Sequence, residues 1–522
     1  MFSILRNPIR AFAVALAGAG IAAAGLSSCS DHSSTANKLV ILHTNDTHSQ
    51  IEPGRDGLGG VMRRMAAIDS IRGIYDNVML VDAGDVVQGT LYFYLYGGEV
   101  EQQVLNIMGL DEGILGNHEF DNGIDSLGAV LRLRDRKLIS TNYITDNTPL
   151  DTLTVPWSVR EYGGKKIGII GINLDPEGII SEGNYNGLGF MPIVATANAT
   201  AAQLRDEQGV DAVIALTHIG YNPSGLTGDS VLACNSRGID IIIGGHSHDV
   251  IDPATPKGSA RSRLTNLDGK EVLIVQTGKS GRNLGKIEIN LDSLGLGGRP
   301  QYEIIPIDSR FDGKIKPELQ ALIDRYSPGV DSLMHYWVGR APEALPDTSN
   351  RLLNYFTDFV MKRGSELAPK VDLAIANKGG LRTSLPEGYF SKGQVINMLP
   401  FRNFVTVVDV PGNELRNIFE VMSRTQGNGV SANVRASYRR QGDSTVLADA
   451  TVNGRPIDPA RTYRVATIDY LAKGGDYMKG FRAGTTVASS PEVVYDDLIE
   501  FITSTPDSLV QGSPEARWTP VR

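Results

Sequence analysis

At 522 residues the chain is too long for one hydrophobic core and calls for at least two domains. Its 41% hydrophobic and 21% charged residues describe an ordinary globular protein, and a formal net charge of −9 offers no basic field to a nucleic-acid polymer. A small anionic ligand would need positive charge supplied locally, by arginine or by metal.

The first segment stands apart from the fold. Arg6 and Arg10 precede an apolar stretch, Ala11 to Gly25, that is too short for a normal membrane span. It ends in Leu26-Ser27-Ser28-Cys29, which resembles a bacterial lipobox. Residues 1–28 then read as a lipoprotein signal peptide, with Cys29 lipidated after cleavage; the competing reading is an ordinary secretory signal with an incidental cysteine. Polar residues 29–37 read as a tether. The expected location is outside the cytoplasm, lipid-anchored to the cell envelope (periplasm or outer membrane). Cys234 is the other cysteine, and a lipidated Cys29 could not pair with it, so no intramolecular disulfide is expected.

Five apolar runs follow, each closing on a residue type that can ligate a metal. Lys38 to Leu42 leads into His43-Thr44-Asn45-Asp46-Thr47-His48. On an extended segment Asp46 and His48 leave the same face and can share a cation. Asn77 to Val81 leads to Asp82-Ala83-Gly84-Asp85, where the glycine permits a tight turn and Asp85, with two oxygens, suits a bridge between two ions. Asp82 reads as structural. Asp111 to Leu115 leads to Gly116-Asn117-His118-Glu119-Phe120-Asp121, Val210 to Leu216 to Thr217-His218, and Ile239 to Ile243 to Gly244-Gly245-His246-Ser247-His248. Runs with so little alternation suit strands covered on both faces. Ligands collect at the carboxyl ends of strands in open α/β sheets, so five such ends argue for one metal site.

In order, these motifs resemble the calcineurin-like metallophosphoesterases, and the strings HTNDTH, VDAGDVVQGT, GNHEFDNG, LTHIGY and IDIIIGGHSHD resemble the 5′-nucleotidase family. The resemblance implies an α/β (α+β) fold. Residues 38–310 would form a four-layer metallophosphoesterase sandwich of two mixed sheets flanked by helices. A linker helix over 311–344 and a C-terminal α/β nucleotide-recognition domain over 345–522 would follow. It further implies two divalent metal ions, Zn, Mn or similar: one on Asp46, His48, Asp85 and His248, the other on Asp85, Asn117, His218 and His246. His118 and Asp121 would form a catalytic dyad near the phosphate, and an aspartate at 121 leans toward 5′ substrates. Read from the residues alone, the competing and weaker reading of Asp121 is a turn residue ahead of Asn122-Gly123.

The linker region has helical spacing from Asp312 to Tyr336, which Ser327-Pro328-Gly329 is expected to kink or split. Beyond it, Asn377-Lys378-Gly379-Gly380-Leu381-Arg382 resembles the family's NGGGxR segment, with Lys378 standing where a glycine is usual. Asn377 and Arg382 would touch the nucleotide, Arg382 forking onto phosphate oxygens. The family clamps the base between two rings. Tyr470 fits the second, and Asp476 the position that bonds the ribose hydroxyls. The register puts Val405 at the first ring with Phe404 beside it, so Phe404 is assigned there; the competing reading makes Phe401 and Phe404 core residues. A further arginine used by relatives has no clear match, Arg351 being the nearest. The resemblance thus implies a secreted metal-dependent 5′-nucleotidase with a nucleotide substrate. Its siblings are a UDP-sugar hydrolase and a 2′,3′-cyclic-nucleotide phosphodiesterase/3′-nucleotidase. A non-catalytic nucleotide-capture lipoprotein is the reading from another class, and the intact metal set and dyad argue against it.

Overall fold

A computed structural model describes residues 35–54, 56–221, 227–294, 298–442 and 444–521. The signal peptide, Cys29 and most of the tether expected from sequence lie outside the described residues.

Two sheets form the frame of the N-terminal half. One runs in the order Gln301–Pro306, Asn283–Asn290, Lys38–Thr44, Asn77–Asp82, Glu112–Gly113, its last three strands parallel. The other places Ala212–His218 and Ile241–Gly244 side by side in parallel, between Lys165–Asn173 and Glu271–Thr277. The period of two explains how they stack. Leu39 and Ile41 of the first sheet share one apolar core with Ile214, Leu216 and Ile243 of the second. Val40 and Leu42 face the opposite way, onto helices Val61–Arg72 and Glu99–Met108. Val213 and Ala215 likewise face helix Ile193–Gln208 through Ala197, Ala201 and Leu204. Helix, sheet, sheet and helix are therefore stacked in four layers, and the strands are apolar on both sides because both sides are covered.

Helix Pro317–Met334 connects the halves and runs through Pro328 without splitting. Proline at 328 removes one hydrogen bond of the helical ladder. The Tyr96 hydroxyl donates to the Tyr326 carbonyl at 2.7 Å, and the two rings pack edge to face at 4.7 Å. The carbonyl that loses its ladder partner is that of Asp324, so the Tyr96 contact packs beside the proline without replacing the lost bond. The expected helical span also gives way earlier than its limit: Trp337–Ala341 is a strand paired antiparallel with Gly388–Ser391, buried through Val338 and Ala341. A five-residue strand whose partner lies some fifty residues away leaves no helix-like or strand-like period long enough to read.

The C-terminal half has a five-stranded sheet, ordered Gly429–Val430, Leu373–Ala376, Thr462–Ile468, Phe404–Pro411, Thr485–Val493. Helices Asn350–Leu367 and Gly412–Arg424 pack on it. Strand Leu373–Ala376 ends at Asn377, and Thr462–Ile468 runs straight into the short helix Asp469–Ala472 that carries Tyr470.

Candidate active site

The seven residues expected to ligate metal converge where the carboxyl ends of the two N-terminal sheets meet. The first sheet delivers Asp46, His48, Asp85 and Asn117, and the second His218, His246 and His248. Two groups result, Asp46 with His48 and His248, and Asp85 with His218 and His246. His48 Nε2 lies 3.0 Å from His248 Nε2, and His248 Nε2 is 3.3 Å from Asp46 Oδ1. His218 Nε2 lies 3.0 Å from Asp85 Oδ2, and His246 Nδ1 is 2.8 Å from Asn117 Oδ1.

Asp46 and His48 do not converge by strand alternation, as the sequence suggests. The strand ends at Thr44, and both residues adopt left-handed backbone, φ 50° and 48°. Asp85, His246 and His248 do the same, at 54°, 75° and 56°. Each such non-glycine residue costs about 1–3 kcal/mol and persists only where its surroundings impose it. Here they do: Asp46 N donates to Gly84 O at 2.9 Å, His48 N to Asp85 O at 3.1 Å, and His246 N to the Asp46 carboxylate at 3.0 Å. Gly116 is required in this packing, since a Cβ there would fall on the Asp85 carboxylate and amide. Asp82 is structural as read, accepting from Thr44 Oγ1 at 2.5 Å and Gly84 N at 2.9 Å.

Beside the ligands a cavity of about 940 Å³ opens between the halves. Asn117, His118, Asp121 and His246 line one wall; Asn377, Arg382, Phe401, Phe404, Tyr470 and Asp476 line the other. His118 Nδ1 sits 3.0 Å from Asp121 Oδ2. Asp476 accepts from Asn377 Nδ2 at 2.8 Å and from the Tyr470 hydroxyl at 2.9 Å, so these three form one linked cluster. Phe401 and Phe404 are half-buried cleft residues and not core. Phe401 stacks on the His118 ring at 5.7 Å and lies under Arg382 at 5.8 Å, whereas Val405 is fully buried. Lys378 neither crowds nor charges the cleft, its ammonium reaching the Thr425 carbonyl at 3.5 Å. Arg351 is engaged elsewhere, with Glu343 and the Gly512 carbonyl.

Residues 39–250 match the family described as calcineurin-like phosphoesterase, and residues 339–483 that described as 5′-nucleotidase, C-terminal domain. The chain belongs to the 5′-nucleotidase family of metallophosphoesterases. It is similar to a 5′-nucleotidase of Rattus norvegicus, 28% identical over 487 residues, or 84% of this chain and 83% of that one. A trifunctional nucleotide phosphoesterase of Bacillus subtilis is 26% identical over 519 residues, 88% of this chain, which spans a third of that relative's length. The crystal structure of a 5′-nucleotidase precursor from Thermus thermophilus superposes with a TM-score of 0.82 at 27% identity, covering 93% of this chain and 99% of that one.

As a metallophosphoesterase the chain should hold metal, and its donor set fits. Burial opposes charge on His218, but the facing Asp85 carboxylate overrides it and lifts the ring to about 10. Burial also opposes charge on Asp85, yet His218 and His118 hold it well below the usual carboxylate range. Burial pushes His246 down to about 4 and lowers His48. His218 Nδ1 is committed to the Ala83 carbonyl at 2.7 Å, which leaves its buried Nε2 facing the Asp85 carboxylate. An imidazole nitrogen facing a carboxylate at 3.0 Å, and two others facing each other at 3.0 Å, are donors arranged for cations.

Two supporting residues escape a reading by type. Asn45 donates to the Asp46 carboxylate at 2.6 Å and accepts from Thr277, tying the two sheets together. The Glu119 carboxylate accepts from the amides of Gly116, Asp85 (3.1 Å) and Val86 (2.8 Å). Both sit inside the motifs, but nothing in residue type separates a support from a ligand.

Proposed function

We propose that the protein hydrolyses nucleoside 5′-monophosphates to nucleoside and phosphate. The observation that carries this reading is a single cleft with the His118–Asp121 pair and metal ligands on one wall and Asn377, Arg382, Tyr470 and Asp476 on the other. The names of the rat and Thermus relatives support it. Two divalent ions, one on Asp46, His48 and His248 and one on Asn117, His218 and His246, with Asp85 serving both, would make hydroxide available near neutral pH and offset the repulsion between two anions.

The remaining work falls to the chain's own groups. Asp121 fixes the His118 tautomer from Nδ1, leaving Nε2 to stabilise charge or protonate the leaving oxygen. Phe401 stacked on that ring restricts its rotation. Arg382 forks onto phosphoryl oxygens. Phe404 and Tyr470 supply faces for the base, and Asp476 with Asn377 supplies acceptors and donors for the ribose.

The test is product analysis (inorganic phosphate, nucleoside and nucleotide) with protein beginning at Ser30, with Mn²⁺ or Zn²⁺ and with or without chelator. AMP, 3′-AMP, 2′,3′-cyclic AMP and UDP-glucose form the panel. Metal-dependent hydrolysis dominated by AMP, giving adenosine and phosphate, is expected; preference for another substrate overturns the nucleotide assignment. No hydrolysis with nucleotide still bound would favour the capture protein. One observation supports a nucleotide-sugar reading: the cavity continues past Phe404 to Phe93, Tyr94 and Val130, room for a second group on the phosphate.

We also infer export and anchoring through Cys29, supported by the sequence of residues 1–29. Labelled palmitate should enter the wild-type protein and not C29A, which should leave the membrane fraction. Equal labelling of both would sink the lipobox reading.

A further inference from the structure

Strand Glu271–Thr277 supplies none of the candidate ligands found among the described residues, yet its last residues hold the loops that do. Thr277 donates through its amide and its hydroxyl to Asn45, the neighbour of Asp46, at 2.9 and 2.7 Å. Gln276 serves the other loop, Gly245 to Asp249, which bears His246 and His248. Its side chain is fully buried and meets that loop at three residues. Nε2 donates to Gly245 O at 2.9 Å, while Oε1 accepts from Asp249 N at 2.6 Å and stands 3.1 Å from the Ser247 hydroxyl. A carbonyl only accepts and a backbone amide only donates, so these partners fix which way the Gln276 amide points.

The contacted residues, Gly245, Ser247 and Asp249, alternate with the two ligands. The loop needs such a hold. His246 and His248 both have left-handed backbone, φ 75° and 56°, which non-glycine residues keep only where their surroundings impose it. Gly245 has no slack on its other side, since a Cβ there would stand 2.8 Å from His218 Nδ1 and 2.9 Å from Ala83 O. Asp249 is anchored as well, its carboxylate accepting from Arg261 at 3.0 and 2.9 Å and its carbonyl from Gly278 N at 2.8 Å. A loop pinned at alternate residues moves as one piece, carrying both imidazoles with it. His248 groups with Asp46 and His48, and His246 with Asp85 and His218, so this one loop gives a ligand to each group.

We propose that Gln276 is a positioning residue for both metal ions at once: its amide sets the loop that presents His246 to one and His248 to the other, while ligating neither. The assignment rests on the two-ion reading above but not on the identity of the substrate.

The test reads metal binding rather than turnover. Co²⁺ is titrated into metal-free wild-type, Q276M, Q276N and V275A proteins against a competing chelator, and uptake is followed by visible absorption, which reports ligand geometry. Q276M keeps the length of the side chain and removes all three contacts, whereas Q276N keeps the amide on a shorter stem. V275A, one residue earlier in the strand, opens the core that Val275 shares with Ile243 and controls for lost stability alone. The wild type should take up two equivalents. In Q276M both should weaken by about 10–100-fold, the usual loss when an outer partner of a ligand is removed, with an altered spectrum, and Q276N should fall between it and wild type. V275A should melt at a lower temperature when metal-free, yet bind both equivalents with wild-type affinity and spectrum. Wild-type affinity in Q276M and Q276N overturns the proposal. So does weakening of one equivalent alone, which would confine Gln276 to a single ion, or equal weakening in V275A, which would reduce its role to stability. If Q276M fails to fold, Q276N decides by the same criteria. A single equivalent in the wild type overturns the two-ion reading itself, and the joint hold with it.

Discussion

Glu119 shows how much of the site depends on a residue that touches no substrate. Its carboxylate accepts from the amides of Gly116, Asp85 and Val86, so one side chain holds the turn bearing Asp85 against the turn bearing Asn117. Burial and the neighbouring Asp85 charge push it up to about 7 against the pull of His218 and those amides. An amide in its place keeps the volume but turns an NH₂ group toward backbone donors. E119Q should therefore loosen both turns and weaken metal binding by about 10–100-fold, the usual loss when an outer partner of a ligand is removed. Metal titration with a competing chelator reads this directly. Wild-type affinity in E119Q would show that the two turns hold their shape without it. The ligands themselves are legible in the sequence because metal chemistry restricts the residue types. Glu119 is not, because its role follows from which amides the fold brings to it.

Helices show the opposite balance between pattern and context. Helix Glu99–Met108 presents an apolar stripe, Val100, Val104, Leu105 and Met108, to the core. Glu101 breaks the pattern: it is 2% exposed and neither carboxyl oxygen finds a hydrogen-bond partner. Burial pushes its carboxyl up to about 7, from an ordinary value near 4.5. The raised value means that the folded state holds the proton more tightly than the unfolded chain does. Its stabilising contribution is complete below about pH 4.5 and is lost as pH rises through 7, on the order of 3 kcal/mol in all. E101Q, which cannot ionise, should melt progressively higher than wild type as pH rises from 5 to 8, read by scanning fluorimetry. A gap that stays constant across that range would place the titration elsewhere. Context also counts at Pro328. Sequence marks a break there, yet the helix continues, with Tyr96, distant in the chain, packed and hydrogen-bonded to Tyr326 beside the proline. Register and period are local and readable, whereas packing supplied from 230 residues away is not.

At the scale of the molecule, the two halves divide the labour while packing together: Leu91 is buried in the C-terminal core, and the Tyr94 ring meets Tyr495 edge to face at 5.5 Å. All seven candidate ligands come from the N-terminal half, and the Asn377–Asp476–Tyr470 cluster is closed within the C-terminal half. Between them run the stacking of Phe401 on His118, a 3.5 Å contact from the Tyr470 hydroxyl to the Ile179 carbonyl, and ion pairs from Glu177 to Lys479 and Arg482. Those ion pairs are exposed, and exposed pairs contribute little. Nucleoside recognition should thus survive loss of the metal. Chelation should abolish turnover while adenosine still binds within about threefold of its affinity for the loaded protein, since ring faces and hydrogen bonds carry that binding. Y470A should do the reverse, keeping its metal and losing about tenfold or more in adenosine affinity through the missing ring face. Calorimetry on the two proteins, with metal content measured in parallel, decides the matter. If chelation removed adenosine binding as well, the cleft would be assembled by the metal and not by two independently built walls.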